Sequence, residues 1–170
     1  MHIDTTPDHR KSLSRWSELA IDPALARLPF RIETDRLGRI IMTPPPSLTH
    51  GARQFKIAQR LATLLPGGHV VTECPLSTAD GVKAIDVAWL ARGRVELEKG
   101  DLVLEIAPEI CVEILSPSNS AEEMAEKRAL YFEAGAREVW LCELDGRLSF
   151  YCGGDLCEDS EPCSRFPKQI

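Results

Sequence analysis

Apolar positions recur along the chain with two different spacings, and the change from one spacing to the other marks out the elements. Ser12 to Leu28 predicts a broken helix, with Trp16, Leu19, Ala20, Leu25 and Leu28 on a partial apolar face and Pro23 as the break. Phe30 to Ile32 and Arg39 to Met42 flank Leu37-Gly38 and predict a short hairpin. After the Pro-rich segment, Ser47 or Thr49 can cap a helix running to about Leu65, with Phe55, Ala58, Leu61, Ala62 and Leu65 on its buried side. His69 to Leu76, Val82 to Leu90 and Glu109 to Leu115 are β-rich runs, and the last two read as central to a sheet. The charged excursion from Ala91 to Glu105 reads as loop around one short helical or edge segment. Ser120-Ala-Glu-Glu is a capping box opening a helix that runs to Ala134 and stops at Gly135. Glu138 to Leu144 and Leu148 to Cys152 bracket Asp145-Gly146, a hairpin signal, and Gly153 to Ile170 is polar and irregular. Three strands paired as a meander, then a crossover helix and further strands, predict an α/β fold with a mixed central sheet flanked by helices.

Composition narrows the class. A chain of 170 residues, 44% hydrophobic and 27% charged, is large enough for one core without disulfide or metal staples. It has no apolar run long enough to span a membrane, and its first twenty residues lack the apolar heart of a signal peptide, so no membrane partner and a cytoplasmic location are expected. Of the six cysteines, Cys74, Cys111 and Cys142 sit in apolar runs, and reduced thiols are expected. Cys152, Cys157 and Cys163 have no close pair and no nearby His, which argues against structural zinc. The net charge of −6 speaks against a surface coated in basic residues, while leaving room for a local basic cleft.

Two acids lie where acids are costly. Asp86 interrupts Val82-Lys-Ala-Ile-Asp-Val-Ala-Trp-Leu90, and Glu113 interrupts Ile110-Cys-Val-Glu-Ile-Leu115. A buried carboxylate without a partner costs several kcal/mol, and two close together cost more unless a cation joins them. Their oxygens, with the backbone carbonyl of Ile114, suit Mg2+ or Mn2+. Taken singly, each acid is better explained by an outward-facing strand position or an arginine partner. The next helix shifts that balance. On a wheel, Lys127 falls inside the apolar arc, about 40° from Tyr131 and about 20° from Ala134. Snorkelling explains many such lysines, yet a lysine beside a metal-bound water can orient it or stabilise charge developing on phosphorus.

The run Asp86-Val-Ala-Trp-Leu, the string Val112-Glu-Ile-Leu-Ser-Pro-Ser118, Lys127 with Tyr131, Ala134-Gly135 and Glu138-Val-Trp-Leu141 together resemble the Uma-two group of restriction-endonuclease-like proteins, in the PD-(D/E)XK nuclease superfamily. The resemblance spans about Phe30 to Tyr151. It implies a restriction-endonuclease-like core of helix, three strands, helix and strand, with an N-terminal hairpin. On that frame residues 1–29 are a helical extension, 30–152 the nuclease-like domain and 153–170 an irregular tail. The implied activity is metal-dependent hydrolysis of phosphodiester bonds in DNA. Asp86 and Glu113 would hold the metal and Lys127 would assist the attacking water. Two positions depart from the superfamily pattern: Ile85 replaces the proline before the first acid, and Leu115 stands where the motif lysine would be. His50, Glu73 and Tyr131 are candidate substrate-binding residues, each with a plainer reading as helix start, strand acid and core packing. Trp89 and Trp140 read as core. The resemblance also implies a homodimer. The competing readings are a catalytically inactive nuclease-fold module that binds nucleic acid or a protein partner, and a hydrolase of small phosphate esters.

Overall fold

The computed structural model describes residues 9–93 and 102–170. Most of the charged excursion expected between Ala91 and Glu105 therefore lies outside the described residues. Helix α1 (His9–Ala20) ends before Pro23, and a single 3-10 turn follows at Leu25–Arg27. The Asp22 carboxylate accepts the Ala24 and Leu25 N–H groups around the proline, so the break is a built turn. Trp16 and Leu19 are buried, and the Trp16 indole donates to the Leu102 carbonyl at 3.0 Å.

Strands β1 (Arg31–Thr34) and β2 (Ile40–Thr43) form a separate two-stranded sheet. Their turn is held by the Asp35 carboxylate, which accepts the Leu37 and Arg39 N–H groups at 2.9 and 3.0 Å. Helix α2 (Leu48–Leu64) starts at Ser47, whose hydroxyl accepts the His50 N–H, and buries Ile57 and Leu61. Then come β3 (Gly68–Thr78), β4 (Gly81–Ala91) and β5 (Ile110–Ile114), the crossover helix α3 (Ala121–Glu133), and β6 (Glu138–Cys142), β7 (Leu148–Cys152) and β8 (Asp155–Cys157). This is the expected order of helix, three strands, helix and strand, with the hairpin in front. The capping box is formed at its N-cap: Ser120 accepts the Glu123 N–H at 3.1 Å.

The six strands lie in chain order, β3-β4-β5-β6-β7-β8, and only β5 and β6 run parallel. Parallel neighbours require a crossover, and α3 supplies it. One sheet face packs Val87, Ile110, Val112, Trp140 and Phe150 against Ile57 and Leu61 of α2. The opposite face packs Leu76, Ile85, Ala88, Cys111 and Val139 against Tyr131 of α3. Trp89 and Trp140 belong to the core as expected, their indoles donating to the Leu65 carbonyl and the Glu138 carboxylate. Residues 153–170 contribute β8 and two buried side chains, Cys163 and Phe166, to the face that α2 covers.

One expectation fails. Cys152 and Cys157 are joined by a disulfide across β7 and β8, while Cys74, Cys111, Cys142 and Cys163 are free and buried. The β7–β8 hairpin brings their Cα atoms to 6.1 Å, a proximity that the five-residue spacing did not announce.

Candidate metal and phosphate site

The site begins as a fault in the sheet. Pairing of β3 with β4 is unbroken from Gly68–Ala91 to Thr78–Gly81 except at one place, where Glu73 would face Asp86. Glu73 has φ of 52°, the only positive value for a non-glycine among the described residues. That conformation costs an L-residue roughly 1–2 kcal/mol. Its effect is visible in the alternation. Ile85 packs on the α3 face, but so do Ala88 and Leu90, while Val87 packs on the α2 face. The alternation slips by one at Asp86, which turns this acid towards α2.

Strands β4 and β5 part at the same level. Their register runs Trp89–Ile110, Ala88–Cys111, Val87–Val112. The next step would set Asp86 opposite Glu113, and there the ladder stops. The Ile114 N–H instead donates to Asp86 Oδ2 at 2.7 Å. The two acids are thus neighbours at a fork, and Ile114, expected to offer its carbonyl, touches Asp86 through its amide.

Each acid is surrounded differently. Asp86, on β4 and almost fully buried, accepts Arg31 Nη1 on Oδ1 at 2.7 Å and approaches His50 Nε2 with Oδ2 at 3.2 Å. Burial pushes its carboxyl up, but the His50 hydrogen bond, the Arg31 guanidinium and the Ile114 amide outweigh that and hold it below the ordinary range. The same hydrogen bond to Asp86 raises His50. Glu113, on β5, accepts the Tyr131 hydroxyl at 2.7 Å and lies 3.4 Å from Lys127 Nζ. Burial, with repulsion from Asp86 added and attraction to Lys127 opposing, pushes it up to about 7. Lys127 is half-buried, yet Glu113 and Glu33, the latter at 3.1 Å, carry its pKa above the usual value. It is an ammonium at any physiological pH.

Sequence reasoning missed three members of this cluster: Arg31, Glu33 and Gln54. Arg31 and Glu33 lie on β1, in a run whose polar alternation reads as a surface hairpin. Glu33 is buried, and its Oε1 accepts the Ala84 N–H at 3.0 Å as well as Lys127. Arg31 reaches Asp86, the Ala84 carbonyl and, at 3.2 Å, Glu73. Glu73 in turn accepts Gln54 Nε2 at 2.7 Å, and the same amide nitrogen reaches the Asp86 carbonyl at 2.8 Å. His50, Glu73 and Tyr131 all join the cluster, Tyr131 as both core residue and hydrogen-bond donor.

Among the described residues, no group of three or more His, Cys, Asp or Glu side chains is placed to hold a metal ion. A hard divalent cation does not need one, since Mg2+ is commonly held by one or two carboxylates with water and phosphate completing the shell. Among the described residues, the carboxyl oxygens of Glu33, Glu73, Asp86 and Glu113 gather around Arg31 and Lys127, and they are hard donors of the kind such an ion takes. The residues present therefore fit such an ion.

A mixed sheet that forks at two acids, with a lysine arriving from the crossover helix, defines an α/β protein with a buried charged site. Residues 22–156 match the family described as Uma2, putative restriction endonuclease, and the chain belongs to that family. Among solved structures, it is similar to a putative nuclease belonging to DUF820 from Anabaena variabilis ATCC 29413, with a TM-score of 0.63 and 22% identity over 76% of this chain and 78% of the other. At that identity the likeness shows the fold. No curated protein matches the chain. Among the described residues no helix is long and apolar enough to cross a membrane.

Proposed function

We propose that the protein is a metal-dependent endonuclease that hydrolyses phosphodiester bonds in DNA. The observation that carries this reading is the fork: Asp86 and Glu113 come level where β4 and β5 separate, with Lys127 Nζ 3.4 Å from Glu113. Asp86 and Glu113 would hold Mg2+ or Mn2+, joined by the backbone carbonyl of Ile114. When bound, such an ion polarises a phosphate and acidifies a water. Lys127 acts as a hydrogen-bond donor and fixed positive charge, since an ammonium held by two carboxylates has no free pair with which to act as a base. It orients the attacking water or steadies charge on the pentacoordinate phosphorus. Tyr131 keeps Glu113 oriented from behind. His50 and Glu73, at the α2 side of Asp86, are placed in this reading beside the substrate phosphate. A homodimer in the cytoplasm, presenting two such sites to a duplex, completes it.

A second reading has its own observation. Every oxygen of Asp86 and Glu113 already has a protein partner, as in a self-contained network within an inactive module that binds nucleic acid or another protein. Plasmid DNA incubated with the wild type in Mg2+ or Mn2+ separates the two. Nicking that is lost in Asp86→Asn, Glu113→Gln and Lys127→Ala supports the nuclease. DNA retained on the protein but left intact in either metal supports the module.

A further inference from the structure

The strongest positive charge within reach of Asp86 comes from outside the main sheet. Arg31 projects from β1, and its guanidinium donates to Asp86 Oδ1 and to the Ala84 carbonyl. Its Nε lies 3.2 Å from Glu73 Oε2, yet that nitrogen is buried without a hydrogen bond. A purely structural buried arginine normally has all of its donors satisfied. In this one Nη1 and Nη2 are placed on acceptors while Nε is left to charge attraction from Glu73.

The strand that carries it is well fixed. Thr34 Oγ1 accepts the Val82 N–H at 2.9 Å, Lys83 Nζ donates to the Thr34 carbonyl at 3.1 Å, and Glu33 accepts the Ala84 N–H. A Cβ at Gly81 would come within 2.5 Å of the Thr34 and Asp35 carbonyls, so the β3–β4 turn accommodates the hairpin only because it has glycine there. The Arg31 backbone is thus anchored by its neighbours, while 19% of its side chain remains exposed, against 2% for Asp86. Part of the Arg31 side chain thus reaches the surface, while Asp86 is enclosed.

Resting on the metal-dependent reading above, we propose that Arg31 guards the carboxylates: its guanidinium competes with a divalent cation for Asp86 and Glu73, and ion binding requires it to swing outward. A cation brought to Asp86 Oδ1 meets the guanidinium at hydrogen-bonding distance, where like charges repel strongly in a poorly hydrated site. Displaced towards solvent, Arg31 still lies beside the acids, where it can meet a substrate phosphate in the two-pronged fashion that suits guanidinium.

The guard is tested by calorimetric titration of MgCl2 and MnCl2 into the full chain as wild type, Arg31→Gln and Asp86→Asn, with circular dichroism to confirm folding. Removing the competitor is expected to tighten the ion in Arg31→Gln by about tenfold, while Asp86→Asn loses it. An arginine that merely organised the acids would give the reverse, and affinity in Arg31→Gln equal to or weaker than wild type overturns the proposal. Where Arg31→Gln does not fold, Arg31→Met takes its place: it keeps an unbranched stem and removes the charge, so affinity is still expected to rise, and a fall overturns the guard. Absence of binding in both wild type and the Arg31 variant overturns the metal reading itself, which is a different failure from wild-type binding that Arg31→Gln leaves unimproved.

Discussion

Lys127 shows how much one side chain can depend on its neighbours. It lies half-buried between the buried acids Glu113 and Glu33, and each of the three is tolerable only because the others are present. Removing one partner of such a cluster leaves a charge without compensation, which typically costs 3–5 kcal/mol. Lys127→Met is therefore expected to destabilise the fold by about 3 kcal/mol, and Glu113→Gln on the same background to restore part of the loss. A double-mutant cycle in urea checks this; additive effects would mean that the two do not interact. Thiol chemistry gives a second prediction at this scale. Burial pushes Cys74 up to about 12 and Cys142 up to about 11, so neither is an appreciable thiolate near neutral pH. Neither is expected to react with a thiol reagent at pH 8 until the protein is unfolded, as peptide mapping after labelling would reveal. Asp86, Glu113 and Lys127 could be picked out from sequence because each breaks an apolar pattern. Arg31 and Glu33 could not, because polar residues on a short hairpin break no pattern. Their role depends on a tertiary contact between β1 and β4.

The elements followed their local signals closely, because those signals are strong: a proline to end α1, serines to cap α2 and α3, and Asp145-Gly146 to turn β6 into β7. Ser120→Ala should lower stability by about 1 kcal/mol through loss of the α3 cap, measurable as a shift of the urea midpoint with unchanged slope. What the alternation of residues hid was the slip at Glu73 and Asp86. In a strand that is apolar on both faces, a one-residue change of phase leaves no trace in the pattern. It matters for function because it turns Asp86 towards α2 and the fork. Glu73→Gly, which relieves the left-handed backbone but removes a carboxylate, is expected to leave stability within about 1 kcal/mol of wild type. A larger loss in thermal unfolding would show that the Arg31 and Gln54 contacts outweigh the relief.

For the whole molecule, the sheet, α2 and the C-terminal residues form one packed body. Phe166 lies against Trp140, their rings 4.8 Å apart, and the Ile170 N–H donates to the Gly146 carbonyl at 3.0 Å. These contacts join residues far apart in sequence, and a polar segment with two apolar anchors reads as irregular until the core it enters is known. Phe166→Ala should cost about 3–5 kcal/mol through the cavity it leaves beside Trp140, and a loss below about 1 kcal/mol would argue that the segment only rests on the surface. The fold order and the two strand acids were legible because buried charge conflicts with its surroundings; the hairpin's contribution and the disulfide arise from chain closure that local pattern does not encode.

The central claim is that the fork between β4 and β5 holds a divalent ion for phosphodiester hydrolysis. Its most direct test follows Mg2+ binding and plasmid cleavage on the same preparations of wild type, Asp86→Asn and Glu113→Gln. The account predicts that wild type binds and cuts, and that both variants stay folded while losing metal and cutting together. A wild type that binds no ion at millimolar concentration, with DNA present or absent, would contradict it.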